Sequence, residues 1–282
     1  KKLKVFNYML KKIYNKIFTI LIGAKFYFLE KLLYFFYKKK LPALLKIEDP
    51  LISIICPTFN RSKMLETRSI PSVLSQSYKN FELLIICDGC TDNSMEVIKK
   101  FNDNRIKVFE IQRNKKRYPP TVENHWFAGP VMANNEGLKN ASGDWIARID
   151  DDDIWTSNHL EDLIKYAKHT QSDFVSSSYL LKKNGEEKII DVKNDVPRIG
   201  GVQTWLYAGY LKFAKYNINC WRKSWNKVND IDLQYRLYNC GVKMSFLEKV
   251  TCIIEPRPNE KETGIKAYKE SKETYKKKYE FK

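Results

Sequence analysis

Over residues 1–40, apolar side chains recur at steps of three and four: Leu3, Phe6, Leu10, Ile13, Ile17, Ile20, Ala24, Phe28, Leu32 and Phe35. That period predicts an amphipathic helix, with Lys4, Lys11, Lys12 and Lys16 mainly on its other side. The longest uncharged run in it, Ile17–Ala24, is too short to span a bilayer. Pro42 and "EDP" (Glu48–Pro50) close the segment. From Leu51 the pattern changes to short apolar, β-branched runs: "LISIIC", "FELLIICD", "RIKVFE" and "DWIARI". Each reads as a strand. Helical patterns follow at about 62–76, 94–101, 130–140 and 157–169. Alternating strands and helices predict an α/β domain with a mostly parallel sheet.

The domain boundaries follow from these shifts. Residues 1–48 form a basic helical extension. Residues 49–259 form the main domain, in two parts, 51–155 and 156–259. Residues 260–282 are a Lys/Glu-rich tail. "KKNGEEK" (Lys182–Lys188) reads as a hairpin turn.

Composition changes the picture at the ends. The formal charge is +17, but residues 1–46 hold twelve Lys and one Glu, and 260–282 hold eight Lys and five Glu. The body is close to neutral, which argues against nucleic acid as a partner. A basic helix rich in aromatic residues suits an anionic membrane surface; the alternative is a helix packed on the domain or on a partner chain. With 43% apolar residues the chain is not disordered. The six Cys are scattered and mostly inside apolar runs, as in a reducing compartment. "CDGC" (Cys87–Cys90) has no second pair for zinc and no thioredoxin-like context. No signal peptide is recognisable. These features lead to an expectation of a cytoplasmic protein, peripheral on the inner face of the plasma membrane.

Three strand ends are polar: "PTFNR", "DGCTDNS" and "DDDD". In open α/β sheets ligands bind at the carboxyl ends of strands, so all three should share one rim. Two carboxylates about 4 Å apart repel by roughly 1–4 kcal/mol at effective dielectrics of 80 to 20. Asp150–Asp153 therefore call for a cation or full solvation. In an extended stretch Asp150 and Asp152 share a side. All-oxygen ligation suits Mg²⁺ or Mn²⁺, which also bridge phosphates. The opposing reading is an acidic helix N-terminus, which suits Asp153 best. Asp88 can accept hydrogen bonds from a base or ribose, and Asp92, Asn93 and Ser94 can cap the next helix.

"SIICPTFNR", "SVLSQSYKNFELLIICDGCTDNS", "MANNEGLKNASGDWIARIDDDDIW" and "NDIDLQYRL" resemble, in order and spacing, the GT-A-fold, family 2 inverting glycosyltransferases. The resemblance covers about residues 51–255 and implies that 51–155 is the nucleotide-binding part and 156–259 the acceptor part. It implies a GT-A (Rossmann-like) fold with a mostly parallel central sheet flanked by helices. It implies that Pro57, Thr58, Asn60 and Arg61 wrap a uridine, that Asp88 meets the uracil, and that Asn135 faces the nucleotide. Asp150 and Asp152 are similar to the outer members of the DxD motif. The first lies near the ribose or the metal's shell and the second ligates Mn²⁺ or Mg²⁺, with Asp151 between them on the nucleotide side. Asp230 is implied as the base that deprotonates the acceptor hydroxyl, with Asp232 a rival. Asn229 and Cys87 depart from the family's usual Glu and Asp.

The implied function is metal-dependent transfer of a sugar from a nucleotide-sugar donor to a glycan or lipid-linked acceptor in surface-polysaccharide or lipooligosaccharide synthesis. A nucleotidyltransferase is the rival enzyme, but "CPTFNRSK" lacks the Gly that a triphosphate loop usually carries. A non-catalytic, membrane-associated protein on the same fold is the third reading. The Arg113–Pro130 stretch either covers the donor or is plain surface loop. Trp205 and Trp221 are candidates for an acceptor groove or for core. His159 and His169 read as packing or surface residues, and His125 stays undecided.

Overall fold

The computed structural model describes residues 2–113, 117–119, 121–183, 185–222, 227–258 and 260–261. The tail beyond Lys261, Asn184 of the expected hairpin turn and part of the long basic stretch lie outside them.

A long helix α1 (Lys2–Tyr37) leads through a 3₁₀ turn to a short α2 (Leu41–Leu44). Strand β1 (Ile52–Thr58) follows, with all seven residues buried. Then come α3 (Ser62–Met64), a π-turn (Leu65–Ser69) and α4 (Ile70–Leu74). The expected single helix over 62–76 is thus irregular. Pro71 has no N–H for an i−4 bond, and the turn before it widens. Next are β2 (Phe81–Asp88), α5 (Ser94–Lys100), β3 (Ile106–Ile111), α6 (Val122–Ala128), α7 (Val131–Asn140) and β4 (Trp145–Arg148). Beyond the aspartates lie β5 (Ile154–Trp155), α8 (His159–Thr170), β6 (Phe174–Lys183), β7 (Glu186–Ile190), β8 (Leu206–Ala208), α9 (Asn229–Asn239) and β9 (Met244–Ile254).

Among the described residues nine strands form one sheet, in the order β3-β2-β1-β4-β8-β6-β9-β5, with β7 on β6. Neighbours from β3 to β4 are parallel. Strands β1, β2 and β4 are buried along their whole length, as their apolar runs indicate, whereas the edge strand β3 is only partly buried. The second half is mixed: β8 is antiparallel to β4 and β6, and β9 is parallel to β6. Strands β6 and β7 form the expected hairpin.

Helix α1 docks on the main domain, but not by the stripe expected from its period. Phe6, Leu10, Ile13, Ile17, Ile20, Phe28, Leu32 and Phe35 stay exposed. The docked face carries Asn15, Phe18, Phe26, Glu30, Tyr34 and Tyr37. Asn15 accepts from Arg222 at 2.9 Å, whose guanidinium covers the Phe18 ring. Arg236 covers Phe26 and pairs with Glu30. The Tyr34 hydroxyl donates to Asp173 at 3.0 Å, and Tyr37 stacks on Phe213. No helix among the described residues is long and apolar enough to cross a membrane.

Candidate active site

The chain runs from β1 outward to β2 and β3, then returns to place β4 on the other side of β1. A crevice opens where the order reverses, at the carboxyl ends of β1 and β4. There a cavity of about 450 Å³ is lined by Pro57, Thr58, Arg61, Asp88 and Asp150–Asp153 from the parallel half, and by Gln203, Asp230 and Arg257 from the other. The three polar strand ends do share one rim.

Asp88, Asp150, Asp151, Asp152 and Asp230 each have a partner. Asp88 ends β2 and receives Arg117 Nη1 at 2.5 Å and Arg113 Nη1 at 3.5 Å. Both arginines are almost wholly buried. Gly89 makes this approach possible: its φ is +71°, and a Cβ there would lie 2.9 Å from Arg113 Cβ. Arg113 lies over the Phe59 ring, 3.9 Å from its centroid. Arg148, the last residue of β4, donates to Asp150 at 2.6 Å. Thr58 Oγ1 donates to Asp151 at 2.8 Å. Asp152 receives Arg61 Nη1 at 3.3 Å and Arg257 Nη1 at 3.5 Å. Asp230 stands in the first turn of α9 and accepts from the Ile231 N–H.

The aspartate row is short of positive charge. Burial raises the Asp150 carboxyl, opposed by Arg148. Burial pushes Asp151 up to about 7, opposed by Arg61. Asp153 stands well above the usual range through burial, then through its three acidic neighbours. Among the described residues no group of three or more His, Cys, Asp and Glu is arranged to hold a metal. Asp150 and Asp152 offer two hard oxygen donors on the cavity wall. That fits an ion such as Mg²⁺, which takes one or two carboxylates and completes its shell with water and phosphate.

Some of the other candidates stand where the sequence puts them and others do not. Asn60 is absent from the cavity lining; in the left-handed region at φ 52°, its Oδ1 accepts from the Thr91 N–H at 2.7 Å and ties two loops together. Asn135 does not reach the cavity either, because both ends of its amide hold the Tyr216 backbone, at 2.9 and 2.8 Å. Asp153 is not at a helix N-terminus: it closes a turn onto Asp150 before β5, and α8 starts only at His159. Asp232 is buried and bonded to Arg236 at 2.8 Å, facing a second cavity between α1 and α9. Trp205 is core: it packs on Phe174 and donates to the Gly200 carbonyl. Trp221 lies against Arg222. His159 is a packing residue, stacked on Trp155 with centroids 4.0 Å apart. The α5 start is capped by Asp92, which accepts from the Ser94 N–H.

The basic stretch after β3 is more than surface loop. It supplies Arg113, His125 and Trp126 to the lining and Tyr118, whose hydroxyl meets His125 Nδ1 at 3.0 Å. Burial, then Arg113, lowers His125 well below its ordinary value. Pattern reading did not single out Arg148 or Arg257. For Arg148 a signal existed, an arginine inside a buried apolar run directly before four carboxylates. For Arg257 in "EPRPNE" there was none.

A family model described as "Glycosyl transferase family 2" matches residues 53–239. An Escherichia coli protein named UDP-Glc:alpha-D-GlcNAc-diphosphoundecaprenol beta-1,3-glucosyltransferase WfgD is 36% identical over 138 residues, 49% of each chain. The chain thus spans about half that relative's length. Among solved structures, Staphylococcus aureus TarS 1–349 in complex with UDP superposes with a TM-score of 0.55 at 18% identity, over 73% of this chain and 61% of that one. Mannosyltransferase PcManGT from Pyrobaculum calidifontis, in complex with GDP-Man and Mn²⁺, gives 0.53 at 15% identity, over 85% and 68%. At such identities the likeness is one of fold.

Proposed function

The chain belongs to glycosyl transferase family 2, and on that premise we propose that it moves a sugar from a nucleoside diphosphate donor to a hydroxyl of a glycan or lipid-linked saccharide, inverting the transferred carbon. The observation that carries the reading is the convergence on one cavity of Asp88, Asp150–Asp152 and Asp230, from β2, β4 and α9. The names of the E. coli relative, with its UDP-glucose donor and diphosphoundecaprenol-linked acceptor, and of the UDP-bound TarS support a UDP-sugar and a lipid-linked acceptor.

In this reading Asp88, held by two buried arginines, offers a fixed acceptor edge to the base, and Pro57, Thr58 and Arg61 form the neighbouring wall. Asp152 and Asp150 would hold Mn²⁺ or Mg²⁺, which supplies positive charge against the departing diphosphate. Arg148 keeps Asp150 oriented, and Thr58 does the same for Asp151. Asp230, at the opposite wall, takes the proton from the attacking hydroxyl. A single displacement by that hydroxyl requires no enzyme nucleophile. The exposed apolar stripe of α1, rimmed by lysines, supports a place at an anionic membrane surface, which for a lipid-linked acceptor is the inner face of the plasma membrane.

The deciding experiment is calorimetric titration of UDP, GDP and dTDP into the protein, with Mn²⁺ and with EDTA, beside Asp152→Ala. Metal-dependent binding of one nucleotide, absent in the variant, is the expected result. Failure of every nucleotide to bind would remove the transferase reading in favour of a non-catalytic membrane protein.

A further inference from the structure

We propose that Arg257, together with Arg61, is a ligand of the donor's diphosphate, held for that role by Asp152. The inference rests on the function proposed above, since it takes the donor to be a nucleoside diphosphate sugar.

The two arginines come from opposite halves of the sheet. Arg61 follows β1 and Arg257 follows β9, yet both guanidiniums end on Asp152 Oδ2, at 3.3 and 3.5 Å. Their side chains are only 11% and 12% exposed. Arg257 sits on a fixed segment. Arg68 donates to the Glu255 carbonyl at 3.1 Å, the Pro256 carbonyl at 2.8 Å and the Asp152 carbonyl at 3.0 Å. It thereby ties the backbone just before Arg257 to the aspartate that Arg257 meets. Glu260 accepts from Arg257 Nε at 2.6 Å, which sets the plane of the guanidinium while Nη1 meets Asp152.

Charge then assigns the role. The described lining of the cavity carries eight carboxyl side chains and four arginines. A diphosphate entering that wall meets net repulsion unless cations stand where it sits. Arg148 is committed to Asp150 and Arg113 to Asp88, deep in the wall. Arg61 and Arg257 converge instead on Asp152, the third aspartate of the row. A planar guanidinium fork matches phosphate oxygens two at a time, which a point charge does not. The competing role for Arg257 is purely structural, fastening residues 255–260 to the domain.

The test is nucleotide binding by the full chain, as wild type, Arg257→Gln and Arg257→Lys, with melting temperatures measured alongside. UDP, GDP and dTDP are titrated first, and the one that binds is compared with its monophosphate, each with Mn²⁺. Arg257→Gln is expected to weaken the diphosphate about 10- to 100-fold and to leave the monophosphate within about twofold. Arg257→Lys keeps the charge without the fork and should fall between, which serves as the measurement if the Gln variant does not fold. Equal loss on diphosphate and monophosphate, or no loss on either, overturns the assignment while the donor reading stands. A wild-type protein that binds none of the three overturns both.

Discussion

Asp230 and Asp232 stand two residues apart in the first turn of α9 and face different cavities. Only Asp230 borders the space shared with Asp88 and Asp152, while Asp232 is committed to Arg236. Asp230→Asn is therefore expected to lower kcat by about 10²- to 10⁴-fold with donor affinity unchanged, as read by steady-state kinetics beside titration calorimetry. Asp232→Asn should lower the melting temperature and spare kcat. The reverse pattern would make Asp232 the base. Residue by residue, the acidic positions were readable from the chain because four consecutive carboxylates need an unusual environment. Asn60 and Asn135 were not, because an amide serves a ligand or a backbone equally well until its neighbours are known.

At the level of elements, α9 joins the cavity to α1. Arg236 bonds Asp232 on its own helix and Glu30 on α1, and the Glu30 carboxyl is buried against it. Burial pushes Glu30 up to about 7 despite Arg236. Between about pH 4.5 and 7 the folded chain thus retains a proton that the unfolded chain has released, so this group makes stability fall as pH rises through that window. Glu30→Gln should show a smaller drop in melting temperature than wild type between about pH 5 and about pH 8. Equal slopes in thermal melts would mean that Glu30 is ionised throughout. The inner parallel strands β1, β2 and β4 were legible as elements, since burial on both faces leaves a largely apolar run. The face by which α1 docks was not. Its period marks one apolar stripe, whereas docking uses another face, through Phe18, Phe26, Glu30 and Tyr34.

Across the whole molecule, charge and exposed apolar surface coincide. The +17 formal charge is concentrated at the ends of the chain, and Phe28, Leu32, Phe35 and Phe36 are exposed on α1 next to Lys38–Lys40. Vesicle sedimentation is expected to show binding to phosphatidylserine-containing but not neutral vesicles, weakened by salt. Phe28→Ser with Phe36→Ser should abolish it without changing the affinity for a nucleotide. Binding indifferent to these changes would return α1 to a packing role alone. The sequence by itself determined the alternation of strands and helices, the rim on which polar strand ends meet, and the acidic row, because these follow from periods and local charge along the chain. Only the tertiary structure decided that Arg113 and Arg117 clamp Asp88, that Arg61 and Arg257 converge on Asp152, and that Asp230 rather than Asp232 borders the cavity. Those pairings join residues from separate elements, and no local pattern encodes where two distant guanidiniums will end.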